Sequence, residues 1–203
     1  RGLGDVYKRQ VFDLETTGFS ALVDRVIEIG AVKIKNNEIV DRFSTFVNPQ
    51  IPISFRIENL TGINDQMVMN APKIEEILPK FLEFCEGAVM VAHNAEFDTS
   101  FIINKAEKIG INVDTTIIDT VLLAQFLMPN LHNYKLDTLT KHLNVVLESH
   151  HRAVDDAAAT ADIFVKMIKM LYDRDIPDVD KLNEEGKMDE NAIKKLHQYH
   201  LSL

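Results

Sequence analysis

The sequence has a single cysteine, Cys85, so no disulfide can form within the chain. Cys85 follows Phe81 and Phe84 at helical spacing and reads as a core thiol of a reducing, cytoplasmic protein. No apolar run approaches the ~20 residues that span a bilayer. The N-terminus carries no apolar stretch of signal-peptide type. A membrane is therefore not an expected partner. Four Cys or His ligands at zinc spacing are also missing. Positive charge is in deficit: 22 Lys and Arg stand against 31 Asp and Glu, for a net charge of −9. That argues against a broad duplex-binding surface, which needs a basic face. It leaves room for capture of a strand end, because a site that holds divalent cations needs carboxylates, and bound ions reverse the local field. Part of the excess also lies in the tail, at Asp178, Asp180, Glu184, Glu185, Asp189 and Glu190.

What is present suits one large domain, or a domain plus a tail, with a real core: 203 residues, 46% hydrophobic and 26% charged. Residues 1–10 are polar and basic, and then give way abruptly to VFDLETTG. They read as a foreign or artefactual segment standing where the first strand should begin. Residues 25–35 and 38–47 are β-branched and partly alternating, with Asn36-Asn37 as a turn between them, so they read as a hairpin. Pro49 and Pro52 end it. Helical spacing follows over 73–86, a short buried strand over 88–92 and a helix over 95–109. Ile117 and Ile118 suggest a last strand, with helices at about 119–128, 135–143 and 152–173. Hairpin strands followed by β-α-β units predict an α/β domain with a mixed sheet and helices packed on it. Neither an internal repeat nor a low-complexity segment occurs. A weak boundary falls near 173–177, beyond which the chain is acidic and poor in large apolar residues.

Three local groups carry chemistry. In Asp13-Leu14-Glu15-Thr16-Thr17-Gly18 the two acids lie two apart on a strand and project from the same side. Paired carboxylates at the end of a buried strand call for a cation, and magnesium or manganese suits oxygen ligands; solvated acids on an edge strand are the plainer alternative. His93-Asn94-Ala95-Glu96-Phe97-Asp98 follows a buried strand and opens a helix, where ligands gather in α/β sheets. Asn94 as a helix cap and Asp98 as a first-turn acid are the plainer readings there. In His151-Arg152-Ala153-Val154-Asp155-Asp156 helix geometry separates the two aspartates. Asp156 shares a stripe with Ala153, Ala157, Thr160, Phe164, Met167 and Leu171, which should face the core. Asp155 falls with Ala159, Asp162, Lys166, Lys169 and Asp173, which should face water. An inward acid is costly unless it is paired or binds metal. His151 is the one plausible base, and His150 reads as a loop residue.

Together these motifs resemble the DEDD exonuclease superfamily, in its DnaQ-like subgroup with a motif histidine (DEDDh). The match runs through Asp13-x-Glu15-Thr16-Thr17-Gly18, His93-Asn94-x-x-Phe97-Asp98 and His151-x-Ala153-x-x-Asp156, and covers roughly residues 11–173. Leu60-Thr61-Gly62-Ile63 is similar to a family turn that lines the substrate cleft. The resemblance implies a ribonuclease H-like fold, with a mixed five-stranded sheet built from a three-strand antiparallel meander plus two parallel strands. It implies 3′→5′ exonuclease activity that releases nucleoside 5′-monophosphates with two divalent ions, Mg2+ or Mn2+. Asp13, Glu15, Asp98 and Asp156 would be the metal ligands: Asp13 bridging both ions, Glu15 and Asp156 on the first, Asp98 on the second. His151 would accept the proton of the attacking water.

The same resemblance gives the substrate contacts. Backbone at Thr16 and Thr17, beside Gly18, would bind the terminal 3′-hydroxyl. Phe19 and Leu60 would wedge against the last base and Phe97 would pack on sugar or base, with core packing as the plain alternative for each. His93 and Asn94 would orient a phosphate or a metal ligand. Within the family, His150-His151-Arg152-Ala153 and the tail segments Asp180-Lys181-Leu182-Asn183 and Tyr199-His200 are similar to the exonuclease region of PolC-type DNA polymerase III alpha subunits. That branch implies a proofreading segment, working on a single-stranded or frayed DNA 3′ end. Residues 174–203 would begin the following polymerase region, with that region and other replisome subunits as partners. Two competing readings remain: a stand-alone exonuclease acting on RNA or short oligonucleotides, and a scaffold without activity.

Overall fold

Asn36 and Asn37 both adopt left-handed backbone angles, φ 52° and 63°, the geometry of a two-residue type I′ hairpin turn. They join β2 (Val26–Lys35) to β3 (Glu38–Phe46) in the predicted hairpin, with Lys35 opposite Glu38. The computed structural model describes residues 8–114, 117–148 and 152–175. The remaining elements are β1 (Arg9–Thr16), β4 (Val89–Ala92) and β5 (Ile117–Asp119), with helices α1 (Phe55–Thr61), α2 (Asp65–Val68), α3 (Ile74–Phe84), α4 (Ala95–Lys108), α5 (Thr120–Leu127), α6 (Leu136–Leu143) and α7 (Ala153–Asp173).

The five strands form one sheet in the order β3-β2-β1-β4-β5. β1, β2 and β3 pair antiparallel, while β4 joins β1 and β5 joins β4 in parallel. This is the predicted meander plus two parallel strands. Two details differ from expectation. The short helices α1 and α2 occupy the link after Pro49 and Pro52, which reads only as a strand end; at 7 and 4 residues they are too short for a periodic signal. β1 also begins at Arg9, so Arg9 and Gln10 of the suspect segment sit in the sheet opposite Ile34 and Lys33.

Alternation along β1 sorts two cores. Val11 joins Val32, Val91, Ile118 and the buried faces of α5, α6 and α7. Phe12 and Leu14 join Phe81, Phe101 and Ile102 on the α3–α4 side. Asp13 and Glu15 therefore belong to the α7 face of the sheet. Among the described residues no helix is long and apolar enough to cross a membrane.

Candidate active site

Asp13 stands opposite Gly30 in the β1–β2 register, and Glu15 stands opposite Glu28. The register slips between Glu15 and Thr16, an irregularity of the kind that re-aims side chains at a strand end. Gly30 has no side chain, and that lets the first turn of α7 lie directly on β2: a Cβ there would fall 2.1 Å from the Val154 nitrogen. One turn into α7, Asp156 thereby reaches the two strand acids. Carboxylate oxygens of Asp13, Glu15 and Asp156 all lie within 4.8 Å of one another. Asp98 arrives from the opposite helical layer, on the first turn of α4, and is 3% exposed. It stands outside that close trio, yet its charge is the largest felt by Asp13.

The electrostatics follow from burial and like charge. Asp13 is held well above the usual carboxylate range by burial first, then by Asp98, Glu15, Asp156 and Glu28. Glu15 is pushed up to about 7 by burial and the charges of Asp156 and Glu28. Asp156 is pushed up to about 7 by burial, with Asp155 and Glu28 adding to it. Asp98 is raised well above its ordinary value by burial and the Glu15 charge, against a backbone hydrogen bond from Leu14. Such a group cannot be fully ionised without a cation. Its donors are all carboxylate oxygens, which fits a hard divalent ion.

The choice of Asp156 over Asp155 by helical face agrees with this geometry, although Asp155 is half-buried as well. The same reading misjudged Ala159, placed on the solvent row but 2% exposed, because α7 packs against α5 and α6 as well as the sheet. Thr16 is 7% exposed and its hydroxyl donates to the Gly18 carbonyl at 2.7 Å. The Thr17 N–H is given to the Arg25 carbonyl at 2.8 Å. Gly18 is packed by the Asp24 carboxylate, 2.5 Å from where its Cβ would stand. Core packing is excluded for Phe19 and Leu60, which are 70% and 60% exposed. Phe97 is half-buried, tilted against the buried Phe101 at 5.1 Å and edge-on to Phe19 at 6.3 Å.

His93 is committed elsewhere. Its Nδ1 accepts from the Thr120 hydroxyl at 2.8 Å and its Nε2–H donates to the Tyr134 carbonyl at 2.8 Å. Burial lowers its pKa, so the neutral ring is a strut between β4, α5 and the 128–135 loop. A phosphate could reach a ring nitrogen only by displacing one of these bonds. Asn94 makes no side-chain cap; it takes the left-handed conformation, φ 63°, and its N–H donates to Asp119 Oδ1 at 3.1 Å. His150 and His151, the base candidate among them, lie outside the described residues.

Sequence reasoning passed over two acids beside the site. Asp119, 2% exposed, caps α5 through Val121 N–H and fixes the Asn94 turn that delivers Asp98. Glu28, wholly buried, accepts from the Ala153 N–H and from Arg152 Nε. The only sequence hint is that Glu28 is the one acid in the apolar-rich run 26–34; what it touches is set by the fold.

The exonuclease (RNase T) family model matches residues 10–164. The chain belongs to that exonuclease family. Over 193 residues this exonuclease domain is 56% identical to DNA polymerase III PolC-type of Caldanaerobacter subterraneus subsp. tengcongensis, covering 95% of the chain and 14% of the relative. The chain thus spans about one seventh of that relative's length. A solved Exonuclease X in complex with 5′ overhanging duplex DNA is 27% identical with TM-score 0.65, covering 79% of this chain and 91% of that one. Escherichia coli Exonuclease I with a dA16 oligonucleotide shares the fold at TM-score 0.75 and 15% identity, over 93% of this chain and 45% of that one.

Proposed function

We propose that this exonuclease domain removes nucleoside 5′-monophosphates one at a time from the 3′ end of a DNA strand, as the proofreading segment of a PolC-type replicative polymerase. The observation that carries the reading is the close trio Asp13, Glu15 and Asp156 with Asp98 beside Asp13. Asp13, Glu15 and Asp156 would hold one divalent ion, Mg2+ or Mn2+, and Asp13 with Asp98 a second. Bound there, such ions supply a nucleophile at neutral pH and stabilise charge on the leaving oxygen. His151 takes the proton of the attacking water. The exposed Phe19 and Leu60 bear on the terminal base, and Phe97, edge-on to Phe19, packs on the sugar or base. Aromatic contact of this kind tolerates any base. Similarity over most of the chain to a PolC-type polymerase supports DNA as the substrate and the polymerase region and other replisome subunits as partners.

The domain is read as running from 11 to 173, with 174–203 leading into polymerase sequence. Residues 1–10 are read as foreign to it. Against that reading at its last two positions, Arg9 and Gln10 pair in register on β1, Gln10 Nε2 donates to the Phe84 carbonyl, and the family match begins at residue 10. Digestion of matched DNA and RNA oligonucleotides with magnesium, manganese or chelator tests the reading. Mononucleotide release from DNA that stops with chelator is expected. Release from RNA alone would favour the separate RNA nuclease, and release unaffected by chelator would overturn the metal assignment.

A further inference from the structure

We infer that Glu28 is a positioning residue for this reaction: it fixes α7 against β2 and so sets where Asp156 stands beside Asp13 and Glu15. The inference rests on the exonuclease reading above. Glu28 is wholly buried near the start of β2, directly across from Glu15. Its two oxygens are both spoken for. Oε1 accepts the N–H of Ala153, the first residue of α7, and Oε2 accepts from Arg152 Nε at 2.9 Å. Arg152 is held in turn, over the Phe46 ring at 4.7 Å and with Nη2 donating to Ser44 Oγ at 3.3 Å.

The first turn of a helix leaves N–H groups without intrahelical partners, and its own N-cap normally serves one of them. Arg152 stands at that N-cap and makes no side-chain cap bond. Glu28 serves the helix from another element instead. A cap from within the helix would tolerate sliding of α7 over the sheet; a cap from β2 ties the two together. Gly30, on the same face of β2, lets the helix backbone touch the strand, and Glu28 fixes the position at which it does so. Asp156 lies one turn further on, and Ala153 and Arg152 directly follow His151 in the chain.

Glu28 also bears on the electrostatics of the trio, since its charge is felt by Asp13, Glu15 and Asp156. A fifth carboxylate at such a place would be expected to join the metal shell. Glu28 lies outside the close carboxylate trio and already pairs with the Arg152 guanidinium and the Ala153 N–H, which argues that it does not.

Glu28→Gln and Glu28→Asp separate these roles. Gln keeps the length and an acceptor for Ala153; Asp keeps the charge but draws the carboxylate back by one methylene. Each chain is assayed for kcat and KM on a labelled DNA strand with magnesium, and titrated with Mn2+ by calorimetry. The expected result is a fall in kcat of about tenfold to a hundredfold for Asp, the scale on which ångström misplacement acts, with weaker Mn2+ binding at unchanged stoichiometry. Gln should rescue most of that loss. One Mn2+ fewer in Gln would make Glu28 a ligand and overturn the proposal. Wild-type kcat and Mn2+ affinity in Asp, or an equal loss in both variants, would overturn it too. A wild-type chain that releases no nucleotide fails the exonuclease reading alone, because Mn2+ affinity still tests the placement of Asp156.

Discussion

The Gly30 Cα faces the peptide joining Ala153 to Val154 so closely that a Cβ would sit 2.2 Å from the Ala153 carbonyl carbon and 2.1 Å from the Val154 nitrogen. Both are backbone atoms of a helix end, with no flexible tip to swing aside. Gly30→Ala should therefore force α7 off the sheet. Overpacking costs about 1–3 kcal/mol, and a domain of this size loses roughly 2–4 °C in Tm per kcal/mol. Asp156 rides on the displaced helix, so nucleotide release should fall about a hundredfold as well. Thermal melting beside an exonuclease assay checks this. An unchanged Tm with full activity would mean that the close approach is not maintained in solution.

The two neighbouring aspartates of α7 should separate cleanly. Asp156→Asn removes a member of the close carboxylate trio. It should lower magnesium-dependent release by about 10³-fold, in line with the several kcal/mol that metal-ion catalysis supplies. Asp155→Asn removes only a neighbouring charge that raises the Asp156 pKa. It should leave turnover within a few-fold of wild type. Comparable losses in both would place Asp155 in the metal shell.

These two aspartates also mark how far the sequence could be read. Period-3.6 spacing separated them because α7 is long, with one stripe against the sheet. It misplaced Ala159 because spacing cannot report the third side, where α5 and α6 lie. The hairpin was legible from Asn36-Asn37, whose side chains tolerate positive φ. α1 and α2 were not, since helices this short owe their existence to the small cluster of Ile27, Ile53, Ile57, Ile63 and Val68 that they help close. Asp13, Glu15, Asp98 and Asp156 carried a motif. Glu28, Asp119 and Gly30 act by touching other elements, and that is set by three-dimensional register. His93 had the right address but is spent on Thr120 and Tyr134, partners 27 and 41 residues away.

Without metal, the stability of the domain should fall as pH rises. Glu15 and Asp156 move from ordinary values of 4.5 and 3.8 to about 7 in the fold. Between those limits the folded chain binds more protons than the unfolded one, so the slope of unfolding free energy against pH is negative. The contribution is most favourable below pH 4 and is lost through about pH 7. A divalent ion reverses this by binding the ionised acids of the folded state. In chelator, Tm should decline from pH 5 to pH 8, and magnesium should raise Tm more at pH 8 than at pH 5. Equal magnesium shifts at both would argue that the acids are ionised regardless of the metal.

Lys105 should govern grip on the strand end. It is 7% exposed on α4, and its ammonium donates to the carbonyls of Ala21 at 3.0 Å and Asp24 at 2.7 Å. Those carbonyls belong to the loop that leaves β1 through Thr17, Gly18 and Phe19. The same helix face presents Phe101, over which Lys105 lies at 5.7 Å, and Phe97, which meets Phe19. Lys105 therefore ties the loop to the helix that carries Asp98. Lys105→Met keeps most of the buried stem and removes both tethers. The loop should loosen and Phe19 lose its fixed place, while the acids stay where they are. KM for a single-stranded DNA end is expected to rise about tenfold, the equivalent of one hydrogen bond or two, with kcat and Mn2+ affinity close to wild type. A loss confined to kcat would show instead that the tether acts on Asp98 through α4, and would remove the loop from the account of substrate grip.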